Sequence, residues 1–257
     1  KGFDLLDGSG IRKNRLIEEA IFHISFILSR LLKVEWYIEV DGQKLYVLFY
    51  PKKLFSRKHM LYYPKSYEPH VTSLFCSLIK EGATVIDIGA SLGYYTLLAA
   101  KRVGSSGLVL AFEPDPIRFE GLQKNIRANG WSNVRAFQVA VSDSNKKVKA
   151  YTFNGNFTIA DAVSLDSFLD SIGVNIADVE IIKIDVEGAE LDVLRGMRKV
   201  LKKGKAKIIC EINPQNYNGI IEFLSHYNYD VFLISEEGLI SPERPKEARE
   251  YYFVRVS

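Results

Sequence analysis

Asp87, Glu113, Asp185 and Glu187 are the residues whose type and spacing point to chemistry. Asp87 interrupts the apolar run Thr84 to Ile88 near its end, where a charge is costly without a partner. Glu113 ends the second apolar run, LVLAFE. An acid at the end of a second strand, about 20 residues beyond a glycine turn, is placed to accept hydrogen bonds from ribose hydroxyls. The competing role, capping the next helix, is already filled by Asp115 and Pro116. Asp185 and Glu187 lie two residues apart at the end of EIIKIDVE, so on an extended backbone they point the same way. Paired carboxylates there could orient or deprotonate a substrate hydroxyl, or bind a metal. The alternative for Glu187 is to stabilise the N-terminus of the following helix. Glu211 and Asn213, at the end of a later strand, are candidate substrate contacts.

The elements that must hold these acids begin with Thr84 to Ala100, TVIDIGASLGYYTLLAA. Thr84 to Ile88 reads as a short buried strand, Gly89, Ala90, Ser91 and Gly93 as a turn of small residues, and Leu92 to Ala100 as a helix. This is the ligand-side turn of a doubly wound α/β fold, whose ligands sit outside the carboxyl ends of the strands. The dinucleotide pattern G-x-G-x-x-G is not met by GASLG, and Asp87 stands close to where a pyrophosphate would lie. That acid suits a cationic ligand. S-adenosylmethionine, with an ammonium, a sulfonium and no phosphate, fits. The plainer reading leaves Asp87 as a turn cap and Gly89 as a permissive glycine.

In chain order, 1–10 is a loose leader. Leu16 to Val34 is apolar at helical spacing but broken by Glu18, Glu19, His23 and Arg30, so it is expected as an amphipathic helix packed on the domain. A membrane-surface or dimer role is the alternative, and an oligomer could form through this helix. Glu35 to Val40 and Lys44 to Tyr50, joined by Asp41-Gly42, predict a hairpin. Lys52, Lys53, Arg57 and Lys58 mark a basic loop, and Tyr62, Tyr63, Pro64, Tyr67 and Pro69 an aromatic connector that could lid a site. Helices are expected over His70 to Ile79, Ile117 to Asn129, Leu165 to Ile172, Ala189 to Leu201 and Ile220 to Tyr227. Strands are expected over Leu108 to Glu113, Val134 to Val141, Val148 to Phe153, Phe157 to Ala162, Glu180 to Val186, Lys207 to Ile212, Tyr229 to Ile234 and Tyr251 to Val256. The last two suggest an antiparallel hairpin at the sheet's edge, with a charged loop over Ser235 to Glu250. Ser142 and Asp143, after the third strand, abut the adenine side of a ligand; Asp143 is either an acceptor for an exocyclic amine or a turn residue.

The 257 residues suit one α/β domain, residues 69–257, with a helix and hairpin extension over 1–68. Hydrophobic residues at 47% and charged residues at 25% are ordinary for a globular chain, and a net charge of +3 is too small to argue for nucleic acid. Cys76 and Cys210 lie far apart in apolar runs, which indicates neither a disulfide scaffold nor a zinc site and leans towards a reducing, cytoplasmic setting. No metal site is assigned. Of the histidines, His59 and His70 flank the aromatic connector and could enter the site.

VIDIGASLGYYTLLAAK, AFEPDP, QVAVSD, VSLDSFL and IIKIDVEGAELDVLRGM, in this order, resemble the FkbM family of S-adenosylmethionine-dependent methyltransferases over roughly Pro69 to Pro214. The resemblance implies the class I methyltransferase fold, a Rossmann-like seven-stranded sheet with an antiparallel last strand. By position, Asp87, Gly89, Ala90, Ser91, Gly93 and Tyr94 resemble the cofactor loop, and Glu113-Pro114 the ribose-binding acid and its neighbour. Ser142 and Asp143 resemble the adenine-side loop, and Asp185 and Glu187 the active-site signature, with Asp185 also at the cofactor. Ser91-Leu92 departs from the Asn-Ile common in the family, and a small hydrogen-bonding side chain is kept. O-methylation of a sugar, glycan or small-metabolite hydroxyl is implied. A nucleic-acid methyltransferase would use the basic loop and tyrosines for stacking, and a non-catalytic module retaining the fold is the third reading.

Overall fold

The computed structural model describes residues 37–46, 67–152, 155–242 and 250–256. Strands β1 (Tyr37–Val40) and β2 (Gln43–Tyr46) form the expected hairpin, and Asp41 and Gly42 take the φ values of 51° and 73° that a tight turn of this hand requires. The hairpin is fastened to the main body by amides. Gln43 Nε2 donates to Leu97 O at 2.9 Å, Trp131 Nε1 donates to Gln43 Oε1 at 2.6 Å, and the Asn129 side chain bonds both backbone groups of Lys44. The expected helix over Leu16 to Val34, the basic loop and most of the aromatic connector lie outside the described residues.

After helix α1 (Pro69–Leu78) the chain alternates β3 (Thr84–Ile88), α2 (Tyr94–Val103), β4 (Leu108–Phe112), α3 (Pro116–Ala128) and β5 (Val134–Phe137). A small sheet follows: β6 (Ala140–Ser142), β7 (Lys146–Tyr151) and β8 (Phe157–Ser164), in the order β6-β8-β7. The second half runs α4 (Leu165–Ser171), β9 (Val179–Ile184), α5 (Glu190–Arg195), α6 (Arg198–Lys203), β10 (Lys207–Ile212), α7 (Tyr217–Ser225), β11 (Tyr229–Ser235), β12 (Gly238–Ile240) and β13 (Glu250–Val256). The main sheet has the order β12-β11-β13-β10-β9-β3-β4-β5. Strands β10, β9, β3, β4 and β5 are parallel neighbours, and β13 runs antiparallel to both β10 and β11.

Strand periodicity sorts the core into two layers. Val85, Val109, Ile181, Ile209 and Phe253 pack with Phe75, Leu97 and Val103 of α1 and α2 on one face. Ile86, Ile88, Leu110, Ile182, Ile208 and Cys210 meet Leu169, Val193, Leu201 and Leu224 on the other. All five residues of β3 are buried, as expected of a central parallel strand with both faces covered. The chain departs from β3 toward β4 on one side and returns at β9 on the other. The topological switch point therefore lies between the ends of β3 and β9.

Four expectations need correction. The run Val134 to Val141 is two strands, because β5 ends its ladder at Phe137 opposite Phe112 and the chain then turns to pair β6 with β8. Ala189 to Leu201 is two helices, parted at Gly196-Met197. The last strand is interior, filling the gap between β10 and β11, because it bonds both. The loop after β11 contains β12, an eighth and edge strand of the main sheet.

Gly196 explains the helix break: a Cβ there would stand 1.9 Å from Ser142 O, so this turn presses directly on the β6 backbone. Gly196→Ala is expected to cost about 2 kcal/mol or more, since backbone must move. Gly130→Ala, at φ +71° in open space, should cost about 1 kcal/mol, the left-handed penalty alone. Urea midpoints of the two variants at equal m-value check the order.

Candidate active site

Gly89, Ala90 and Ser91 leave β3 in a turn held by Phe112 O, which accepts from Gly89 N at 2.9 Å and from Ala90 N at 3.0 Å. Gly89 has φ +84°, and a Cβ on it would lie 1.8 Å from Asp185 O. The turn and the end of β9 therefore touch backbone to backbone, and only glycine permits it. Ser91 is left-handed, with φ 51°, and its N–H donates to Glu113 Oε2 at 2.8 Å. Asp115 N donates to Glu113 Oε1 at 2.9 Å. Asp115 itself caps α3 by accepting from Ile117 and Arg118 N–H groups, which leaves Glu113 outside the capping duty. Glu113 is 2% exposed. Burial pushes its carboxyl up to about 7, with Arg118 and the two backbone donors pulling the other way.

A cleft of about 560 Å³ opens over these strand ends, within the usual size of small-molecule sites. Its wall contains Asp87, Gly89, Ala90, Ser91, Tyr94, Glu113, Pro114, Ser142, Asp185 and Glu187. Gly93 is absent from the wall; at φ 97° it caps α2, and a Cβ there would meet Leu122 Cδ1 at 2.7 Å. Asp143 is absent too. Its carboxylate accepts from Lys146 at 2.7 Å and from Ser144, and these bonds hold it below the usual range. Asn213 caps its own turn through bonds from Gln215 and Asn216 N–H, and neither it nor Glu211 lines the cleft. His70 is exposed, 3.9 Å from Glu236, and does not enter.

The centre of the site is a buried charge cluster. Asp87 and Lys183 are register partners on β3 and β9 and share one face of the sheet. Lys183 is 1% exposed, with its Nζ 3.3 Å from Asp185 Oδ2. The ammonium sits 4.6 Å from the ring centroids of both Tyr95 and Tyr251, a cation between two π faces. Burial opposes its charge, but Asp185, Glu68, Asp87 and Glu211 outweigh that and raise its pKa. For Asp185 burial likewise acts upward, and Lys183 and the Tyr251 hydroxyl outweigh it, holding the carboxyl below its usual range. Asp87 is different: burial raises its pKa despite the Thr96 hydroxyl, which donates to Oδ2 at 2.6 Å, and Lys183.

Tyr251 Oη lies 2.8 Å from Glu68 Oε1 and 2.9 Å from Asp185 Oδ2. A phenol has one proton, so it donates to one carboxylate at a time. Tyr95 donates to Glu68 Oε2 at 2.6 Å. Tyr67, the one described tyrosine of the aromatic connector, packs edge-on to Tyr94 at 5.0 Å and lines the cleft.

Glu187 does not continue the strand. It is left-handed at φ 57°, and Gly188 follows at φ 107°, so the extended backbone expected from Asp185 to Glu187 is replaced by a sharp turn. Both still face the cleft. The N-terminus of α5 is served by Glu190, whose Oε1 accepts from Gly188 N at 2.6 Å.

Sequence reasoning passed over Lys183, Tyr251, Glu68 and Arg118. Lys183 had a signal: a lysine inside the apolar run EIIKID needs the same partner that Asp87 does. Arg118 lines the cleft, and its buried Nε has no hydrogen-bond partner among the described residues. Among those residues no group of His, Cys, Asp and Glu could hold a metal, and no helix is long and apolar enough to cross a membrane.

The profile of the Methyltransferase FkbM domain matches residues 87–231, which contain the turn, Glu113 and the Asp185 loop. The chain is 30% identical over 146 residues to Methyltransferase 1 of Beauveria bassiana, covering 44% of this chain and 57% of that protein. It is 29% identical over 147 residues to the hexuronic acid methyltransferase AglP of Haloferax volcanii, covering 52% and 58%. The chain thus spans a little over half the length of these curated relatives. The crystal structure of an FkbM methyltransferase from Methylobacillus flagellatus superposes with a TM-score of 0.50 at 19% identity, over 71% of this chain and 50% of that one, a likeness of fold. The matched stretch is more than half of the chain and holds both walls of the switch point; the chain belongs to the FkbM methyltransferase family.

Proposed function

We propose that this chain is an S-adenosylmethionine-dependent methyltransferase that methylates a hydroxyl of a sugar, glycan or small metabolite. The observation that carries the reading is the acid-lined cleft at the switch point, closed by the contact of Gly89 with Asp185 O. The donor set suits this cofactor. Asp87, Glu113, Asp185, Glu187 and Asp192 share the cleft wall with Lys149, Lys183 and Arg118, a balance that favours a cation over a pyrophosphate. Glu113 is spared from capping and accepts ribose hydroxyls. The orphaned Arg118 Nε supplies a donor for an acceptor atom of the nucleoside. Family membership supports the methyl donor, and the hexuronic acid named for the archaeal relative supports a sugar as acceptor.

When bound, the cofactor supplies an already activated methyl on a sulfonium. What remains for the protein is to align the acceptor oxygen, exclude water and receive a proton. Asp185, kept ionised by Lys183 and Tyr251, is a poor base and a good fixed anion, suited to orienting positive charge or a hydroxyl. Glu187, on its own sharp turn at the cleft, is the base we assign. Tyr67 and Tyr94 form an aromatic side wall that dries the pocket.

Calorimetric titration tests the reading. S-adenosylmethionine is expected to bind, with affinity falling at least tenfold in Asp87→Ala and in Glu113→Ala; binding of NAD instead would overturn it. Because Glu113 titrates near 7 and its ionised form accepts more strongly, affinity should rise with pH through about 7, by up to roughly tenfold per unit below that point. In Glu113→Gln this slope should vanish. Lys183→Met leaves Asp185 facing Tyr251 without its cation and is expected to destabilise by about 3 kcal/mol. Lys183→Met combined with Asp185→Asn should recover part of that stability in urea melts without recovering cofactor binding.

A further inference from the structure

The hairpin β7–β8 has two unlike faces. Ala150 and Ala162 are buried, while Lys147, Lys149, Tyr151, Phe157, Ile159 and Asp161 alternate onto the outer face. Tyr151, Phe157 and Ile159 are 48%, 54% and 62% exposed. Register sets Tyr151 opposite Phe157 and Lys149 opposite Ile159. The two rings are 4.4 Å apart between centroids, and Lys149 Nζ lies 5.8 Å from the Phe157 ring. Lys147 is ion-paired to Asp161; Lys149 has no ion pair among the described residues. Three large apolar groups grouped in water on one short hairpin mark a contact surface. This surface is continuous with the cleft, because Lys149 and Tyr151 also form part of the cleft wall.

We propose that this ladder is the acceptor platform, and that the acceptor is a saccharide bearing an anionic group. The proposal rests on the methyltransferase reading for its place in a reaction. A pyranose has one face of C–H groups, which packs on the Tyr151 and Phe157 rings, and a polar rim that presents hydroxyls to the cleft. Lys149 pairs with the anion, a carboxylate or a phosphate. On the described ladder Lys149 is the cation without an ion pair, since Lys147 is held by Asp161. A single such cation suits a single negative group and not a strand of phosphates, which draws on several. A bilayer is a poorer occupant, since the ladder leads inward to Asp185 and Glu187.

The test uses the full chain and three probes: methyl glucuronide, methyl glucoside and glucose 6-phosphate. Saturation-transfer NMR and titration are read for each. The wild type is expected to bind at least one anionic sugar tenfold or more tighter than the neutral glucoside, with saturation reaching the ring protons. The two anionic probes distinguish carboxylate from phosphate. Lys149→Gln should erase the preference, and Phe157→Ser should weaken all three probes tenfold or more while S-adenosylmethionine titration is retained. Equal binding of charged and neutral sugars overturns the anion assignment. No sugar binding, or binding to anionic phospholipid vesicles or single-stranded RNA that Phe157→Ser removes, overturns the platform. Failure of S-adenosylmethionine to bind, with sugar binding intact, would instead sink the methyltransferase reading and leave the platform standing.

Discussion

A lysine ammonium buried at the middle of a parallel sheet has few solutions, and Lys183 shows one of them. An unpaired ion there would neutralise itself or unfold the strand, since desolvating it costs several kcal/mol. The chain surrounds it with Asp87 from the neighbouring strand, Asp185 from its own strand two residues on, and the faces of Tyr95 and Tyr251. Asp87, Asp185 and Tyr95 also line the cleft. The neutralising shell of the buried cation and the wall of the candidate site are therefore largely the same atoms. That shell carries more negative groups than the one cation requires, and the excess leaves a pocket that attracts positive charge.

The rest of the geometry follows from keeping that cluster dry and tight. The backbone of Asp185 lies directly against the end of β3, and Gly89 makes the approach possible by having no side chain. The same turn then exposes Ser91 N–H to Glu113, which ties the end of β4 to the end of β3. Tyr251 lies on the strand that inserts antiparallel between β10 and β11. Its hydroxyl joins Asp185 to Glu68, at the entry of α1. In this way Lys183 and Tyr251, far apart in the chain, meet on one oxygen of Asp185.

What was legible in the sequence divides along the same line. The strand–turn–helix at Thr84 to Ala100, the cap at Asp115 and the acid at Glu113 are local patterns, and local patterns were read with their boundaries within a few residues. Misreadings arose where a distant backbone intervened. Ser142 O breaks the helix after Arg195 at Gly196, and the pairing of β13 with two strands moves it off the edge. Glu187 was placed on the right wall for an incorrect reason, because its left-handed φ cannot be seen in a run that reads as strand. Asp143, readable from sequence as a ligand acceptor or a turn residue, is bonded to Lys146 three residues on and stands outside the cleft wall.

The cofactor side and the acceptor side differ in legibility for a physical reason. A cofactor of constant structure needs constant groups at the ends of adjacent parallel strands, and short runs of residues supply them. Residues we propose for the acceptor side come from elements far apart in the chain, Tyr67 before α1 and Tyr151 on a hairpin inserted after β6, and Tyr251, near the end, reaches the site through Asp185. None has a recognisable neighbour pattern, and each acquires meaning from what the fold sets beside it. Tyr251 illustrates this, since the same side chain would read as a half-buried strand tyrosine were Lys183 a leucine. Its role comes from the charge beneath its ring and the two carboxylates at its hydroxyl.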